Sequence, residues 1–230
     1  MTPFAIDIRE YPGRWALVLL FILMIVPGLT FPGVDLSLSG LFYVPGTGFT
    51  WSADGVLEFV RAAVPDIIVG SFVVCVLLWI AGRLNAEWPW RITTPRMTYL
   101  FLTLLVGPAL IVEGILKPFW GRARPKDIEL FGGEQAYTLP WQIANECAHN
   151  CSFVSGHVAV AFWLTAYAYL LSSKWRAAAI AAGVIVGLGM GLVRVAQGAH
   201  FLSDAIAAGF IVILVNEILA RLVLNRRTTP

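Results

Sequence analysis

Charged residues are scarce in this sequence: they occupy 13% of its 230 positions, whereas 58% are hydrophobic. Soluble domains carry about a quarter of their residues charged, so this is the composition of a membrane protein, in line with a mean hydropathy of +0.77. Strand-like alternation is missing from the apolar runs, which discounts a β-barrel. No repeat, low-complexity stretch or second domain is visible, so residues 1–230 are read as one membrane-embedded domain. Net charge is also low, at +2; a small cationic excess beside a bilayer is what topology alone produces, and nothing points to nucleic acid.

What is present in abundance is apolar helix. A helical span needs about 20 mostly apolar residues, and six windows meet or approach that length: Trp15 to Phe31, Pro65 to Gly82, Met97 to Leu116, His157 to Ser173, Ala177 to Val193 and Phe201 to Leu224. Backbone groups in lipid must be satisfied within each segment, so the expected fold is all-α, a polytopic bundle of six transmembrane helices. The first window is preceded by acidic and basic residues and followed by Pro27, Phe31 and Pro32 rather than a small-residue cleavage site, so it reads as a retained helix. Arg9, Arg14, Arg83, Arg91, Arg96, Lys174, Arg176, Arg221, Arg226 and Arg227 fall on one side of this layout. The positive-inside tendency makes that side, with both termini, cytoplasmic. Arg61, Lys117, Arg122, Arg124, Lys126 and Arg194 fall on the other, against the tendency, which implies a local task.

Two outer loops are long, Pro32 to Val64 and Lys117 to Gly156, and the second carries Phe131, Tyr137 and Trp141. Such loops are either functional, with rings at headgroup level, or ordinary surface. Gly183, Gly187 and Gly191 recur every four residues, a spacing that lets helices approach closely. Cys75 lies in an apolar run and reads as inert core. Cys147 and Cys151 suit a disulfide if the outer compartment is oxidising, a metal site with His149 that lacks a fourth ligand, or two free thiols.

Three outer clusters carry the chemistry. KPFWGRARP, Lys117 to Pro125, offers a mobile point charge at Lys117 and a planar phosphate-matching fork at Arg124. Arg122 and Lys126 are expected to face headgroups, and Glu113 to pair with Lys117 at i, i+4, either as a structural bridge or to orient the lysine. CSFVSGHVAV, Cys151 to Val160, opens a helix whose free amides and positive dipole end suit phosphate. Ser152 or Ser155 fits the N-cap, Gly156 lets backbone come near a ligand, and His157 is left unexplained by capping. GLVRVAQGAHFLSD supplies Arg194, His200 and Asp204. If His200 and Asp204 share a helical face, the carboxylate fixes the imidazole tautomer and frees the other nitrogen as a nucleophile. Lys117, Arg124 and Arg194 around two histidines suit a dianionic phosphoryl group in transfer. His200 then attacks phosphorus, Asp204 orients and polarises it, and His157 protonates the departing alcohol and later activates water.

KPFWGRARP, SGH and RVAQGAHFLSD, in that order, resemble the three motifs of the type 2 phosphatidic acid phosphatase superfamily. The lysine, six residues, Arg-Pro pattern falls on Lys117, Arg124 and Pro125, the second motif on Ser155, Gly156 and His157, and the third on Arg194, His200 and Asp204. The motif region runs from 117 to 204, and the six-helix layout extends the likeness over nearly the whole chain. Val154 stands where the family usually has proline and Val193 where it usually has serine, so altered loop or helix-end geometry is expected, not inactivity. The resemblance implies a phosphatase without metal or cofactor, working through a phosphohistidine on phosphatidic acid, phosphatidylglycerol phosphate, undecaprenyl pyrophosphate or lipid A. Lipid A 1-phosphatases are among the bacterial members of this size. It places the protein in the inner cell membrane, its site facing the periplasm or cell exterior. A lipid phosphotransferase uses the same phosphohistidine, and an anion transporter is disfavoured because the charges sit at one face rather than at the midplane. Oligomeric state leaves no trace in the sequence.

Overall fold

The computed structural model describes residues 13–30, 33–85, 87 and 92–224. They form a mostly helical bundle. Helix α1 (Gly13–Thr30) is followed by a short helix α2 (Val34–Gly40), a two-stranded hairpin of β1 (Tyr43–Val44) and β2 (Gly48–Phe49), and a 3₁₀ turn at Thr50–Ala53. The long helix α3 (Gly55–Leu84) comes next, then α4 (Thr94–Leu104), which widens into a π-helix over Leu105–Leu116 and closes in one α-helical turn, α5 (Lys117–Phe119). Helix α6 (Gly156–Trp163) tightens to 3₁₀ through Leu170; α7 (Ser173–Ala196) and α8 (Leu202–Leu219) complete the bundle.

Each of the six apolar windows falls on one of these helices. Among the described residues, four helices are long and apolar enough to cross a membrane: Gly55–Leu84, Thr94–Phe119, Ser173–Ala196 and Leu202–Leu224. Gly156–Leu170 is apolar but shorter. Phe31, Pro32, Arg9, Arg91, Arg226 and Arg227, all used in the topology argument, lie outside the described residues. Helix α3 starts well before its apolar window because Asp54 caps it, its Oδ1 accepting from the amides of Val56 and Leu57 at 3.0 and 2.9 Å. The π-helical register runs through Pro108, which has no N–H to offer a tighter ladder.

Helix α6 is the axis of the bundle, packed against α3, α7, α8 and the π-helix. Val158, Ala159, Ala161, Phe162 and Trp163 are fully buried. Its close neighbours depend on glycine: a Cβ at Gly187 of α7 would lie 2.5 Å from the Phe162 ring, and one at Gly209 of α8 2.6 Å from its other end. Gly183 and Gly191 meet Thr165 and Ala205 in the same way, so the glycine stripe on α7 is a packing surface. Helix α3 by contrast leaves Phe59, Ile67 and Leu77 exposed, as a face turned to lipid does. Of the polar residues deep in α8, Asn216 donates through Nδ2 to Thr165 Oγ1 at 3.0 Å while its Oδ1 is buried without a partner, and Glu217 accepts from Tyr169 and also holds Arg221.

The two long loops cover one end of the bundle together. Phe49 of the hairpin and Phe131 of the second loop pack edge to face, with Tyr43 beside both. Ala123, Ile128 and Phe201 complete a small second core. Phe131 and Tyr137 therefore belong to packing, not to the headgroup zone; only Trp141 of the three is well exposed. Cys147 and Cys151 form a disulfide in this loop, while Cys75 is free.

Candidate active site

The third motif is built by a helix stop. Helix α7 ends at Ala196, and Gly198 takes the left-handed conformation, φ +64°, that lets the chain turn back. The amides of Ala199 and His200 then donate to the Arg194 carbonyl at 3.0 and 3.3 Å. His200 thus stands in a connecting loop and only Asp204 is helical, in the first turn of α8. The shared helical face expected for the pair is not formed. Nδ1 of His200 lies 3.9 Å from Asp204 Oδ2 but 2.7 Å from the backbone carbonyl of Ser152. A carbonyl only accepts, so Nδ1 carries the proton and Nε2 keeps its lone pair. The orienting partner is Ser152 and not Asp204, whose carboxylate is committed to other donors. It accepts from Ser152 Oγ at 2.5 Å, from the Phe201 amide at 2.9 Å and from Arg122 Nη1 at 2.5 Å.

Arg122 departs most from expectation. It does not face headgroups; its side chain is 0% exposed, clamped between two carboxylates. Nη2 donates to Asp35 Oδ2 at 2.9 Å, Nη1 to Asp204 and to Ser203 Oγ at 2.8 Å, and Nε to the Thr138 carbonyl at 3.0 Å. Its guanidinium lies over the Phe201 ring, 4.3 Å from the centroid. Asp35 of α2 in turn accepts from the Ser203 amide and hydroxyl. One buried ion cluster therefore ties α2, the first motif and the start of α8 together. Asp35 is a residue that sequence reasoning missed; its only signal is a lone carboxylate between Val34 and Leu36.

The remaining motif residues gather around His200. Burial, followed by the charges of Arg194 and Arg124, holds its imidazole well below the usual range, so the ring is neutral. Lys117 is also within electrostatic reach of it. Arg124 donates through Nε and Nη2 to the Asn150 carbonyl at 3.1 and 2.7 Å. Arg194 is buried, with Nη1 on Gln197 Oε1 at 2.5 Å and Nε without a partner. Ser155 occupies the N-cap of α6, yet its hydroxyl makes no capping bond and is buried without a partner. Both Ser155 Oγ and Arg194 Nε are thus buried polar groups left to be satisfied by something other than the protein.

Gly156 serves a different close approach from the one expected. A Cβ there would meet Glu113 Oε1 at 1.7 Å, so the missing side chain admits a carboxylate to the positive end of α6. Glu113 also binds Lys117 Nζ at 2.9 Å, the expected i, i+4 pair. His157, in the first turn of α6, feels the charges of Arg194, Arg61, Lys117 and Glu113, and Arg61 Nη1 lies 3.1 Å from its Nε2. Arg61, from α3, is a second residue the motifs did not reveal. Val154 is fully buried in the core, and the Val193 carbonyl accepts from Gln197 at the end of α7.

Comparison with known proteins identifies the family. The PAP2 superfamily model matches residues 96–228, a stretch that contains all three motifs. The chain is 34% identical over 187 residues to the lipid A 4'-phosphatase of Francisella tularensis subsp. novicida (strain U112), covering 80% of this chain and 83% of that protein. It is 30% identical over 210 residues to the lipid A 4'-phosphatase of Rhizobium leguminosarum, covering 84% and 85% of the two chains. These relatives carry the 4' designation, not the 1-phosphatase one that the resemblance brought forward. The crystal structure of the PAP2-type phosphatidylglycerolphosphate phosphatase from Bacillus subtilis superposes with a TM-score of 0.53 at 16% identity, over 96% of this chain and 100% of that one, which establishes the common fold. With a family match over more than half of its length and its three motifs gathered at one end of an apolar helical bundle, this chain belongs to the PAP2 superfamily, as a membrane phosphatase.

Proposed function

We propose that the protein removes a phosphate monoester from a glycolipid, the 4'-phosphate of lipid A, at the outer face of the inner membrane. The observation that carries this reading is His200: neutral, its tautomer held by the Ser152 carbonyl, its Nε2 lone pair set among Arg194, Arg124 and Lys117. The two bacterial lipid A 4'-phosphatases to which the chain is similar suggest the substrate.

In this reading Arg194, Arg124, Lys117, Ser155 and the amides at the head of α6, that of Gly156 among them, hold the phosphoryl oxygens. Nε2 of His200 attacks phosphorus, the bond to the sugar oxygen breaks, and His157 gives that oxygen a proton, releasing the alcohol. Phosphorylation at Nε2 leaves the imidazole cationic. The Ser152 carbonyl then holds the Nδ1 proton and the Asp204 carboxylate, 3.9 Å away, balances the charge. His157, now a base, takes a proton from water as its oxygen attacks phosphorus; the P–N bond breaks, and inorganic phosphate leaves with His200 restored.

The chain spans the membrane six times with both termini in the cytoplasm, which turns the loop-covered end and the site to the periplasm. The Cys147–Cys151 disulfide supports that orientation, since disulfides persist in oxidising compartments. Lipid enters sideways between helices. The deciding experiment is phosphate release by detergent-purified protein from lipid A bearing both phosphates, lipid A lacking either one, phosphatidylglycerol phosphate and phosphatidic acid, with His200→Ala alongside. Release confined to lipid A that keeps its 4'-phosphate, and lost in His200→Ala, is the expected result. Release from the 1-position, or undiminished turnover without His200, would overturn the reading.

A further inference from the structure

Arg61 lies outside the three motifs, yet it touches His157. A guanidinium has donors only, so the 3.1 Å contact between Nη1 and His157 Nε2 has one meaning: Nε2 presents its lone pair to Arg61. A proton on Nε2 and this contact exclude each other. The reaction proposed above nevertheless asks His157 to give up a proton, so as long as Arg61 stays in place Nε2 cannot be the acid.

Arg61 is held loosely enough to leave. Its side chain is 30% exposed, and its other bonds go to Glu58, one turn away on α3. Glu58 Oε2 accepts from Gln197 Nε2 at 3.5 Å, and Gln197 Oε1 accepts from Arg194 Nη1 at 2.5 Å. A chain of polar contacts thus runs from Arg194 on α7 through α3 to His157 on α6. The charges of Arg61 and Arg194 are close enough to repel each other, a repulsion that a dianion held between them would relieve. An anionic oxygen is also a stronger acceptor for a guanidinium than a neutral imidazole nitrogen.

We infer that Arg61 is a fourth cationic contact to the phosphoryl group, resting on His157 in the free protein and moving to the phosphoryl oxygens when substrate binds. The move frees His157 Nε2, which takes a proton from solvent and passes it to the departing oxygen. The charged groups facing His157 are Arg61 from α3, Arg194 from α7, Glu113 from the π-helix and Lys117 from α5; of these only Arg61 is hydrogen-bonded to the ring. This inference rests on the phosphatase reading above and adds a residue to it.

The test is orthovanadate binding to full-length protein in detergent, with Arg61→Ala, Arg61→Gln and Arg61→Lys made in the wild type and in His157→Ala. A direct contact predicts that Arg61→Ala and Arg61→Gln weaken vanadate about tenfold in both backgrounds, while Arg61→Lys recovers much of the loss. If Arg61 only props His157, its removal changes nothing once His157 is gone, and the inference fails. Arg61→Gln keeps a polar side chain but removes the charge, so with unchanged melting it separates contact from folding. Wild-type protein that turns over lipid A while every Arg61 variant binds vanadate normally would overturn this inference alone; wild type that releases no phosphate would overturn the function itself.

Discussion

Ser152 holds His200 and Asp204 at once: its carbonyl lies 2.7 Å from His200 Nδ1, and its hydroxyl donates to Asp204 Oδ2 at 2.5 Å. Asp204 therefore acts mainly through architecture, since its oxygens are also committed to Arg122 and the Phe201 amide. Asp204→Asn should leave Arg122 with less compensation in a buried site. It is expected to lower both turnover and thermal stability, the latter by about 3–5 kcal/mol, the range for breaking a buried ion pair. His200→Ala should abolish turnover at a smaller cost in stability, that of a buried cavity and one lost hydrogen bond. Paired melting and activity curves for the two variants check this; equal melting temperatures would return Asp204 to a purely catalytic role.

The neutral His200 has a signature in pH. An unfolded chain protonates histidine near pH 6.5, whereas burial and the nearby arginines keep His200 unprotonated in the fold well below that. Below about pH 6.5 the unfolded state therefore binds more protons, and stability falls as pH falls. Melting temperature should drop from pH 7 to pH 5, and less steeply in His200→Gln. Identical slopes would mean that the imidazole is not held neutral.

The main helices were legible from apolar length, because a bilayer demands continuous runs: each window overlaps a helix, and among the described residues four of these are long and apolar enough to span. The site was legible as far as its motifs, whose residue types announce phosphate chemistry. The sequence did not show how the motifs are braced. Asp35 is far along the chain from Arg122 and Asp204, and no local spacing marks so distant an ion pair. The His200 and Asp204 spacing matched a helical face, but Gly198 stops α7 and leaves His200 in a loop, so a backbone carbonyl does what the carboxylate was expected to do. Arg61 was visible only as an outer cation in the topology argument.

Arg122 and Asp35 provide a stability test free of catalytic roles. Asp35→Ala strips one carboxylate from a guanidinium that is fully buried, and orphans the Ser203 amide as well. A loss of about 3–5 kcal/mol is expected, enough to depress the amount of folded protein in membranes. In chemical unfolding, Asp35→Asn, which retains an acceptor, should fall between wild type and the less stable Asp35→Ala.

In the proposed scheme the charge for the phosphoryl group comes from Lys117, Arg124 and Arg194, and no divalent ion is required. EDTA is expected to leave turnover within about twofold of the untreated rate. Orthovanadate should inhibit competitively. A strict Mg²⁺ requirement would instead place a metal-bound water, and not His200, on phosphorus.

The disulfide couples the second long loop to the surroundings of His200. Arg124 donates twice to the Asn150 carbonyl, inside the ring closed by Cys147 and Cys151, and Cys151 is followed directly by Ser152, whose carbonyl orients His200. Cutting the bridge frees both supports together. Reduction, or the pair Cys147→Ser and Cys151→Ser, should cost about 2 kcal/mol of stability and lower kcat more than it raises KM, because a misaligned nucleophile weakens the transition state more than it weakens binding of the lipid. Thiol labelling coupled to mass spectrometry fixes the redox state of each sample, and steady-state kinetics before and after reduction give the split. A change in KM alone would show that the loop only gates lipid entry and leaves the alignment of His200 to the bundle.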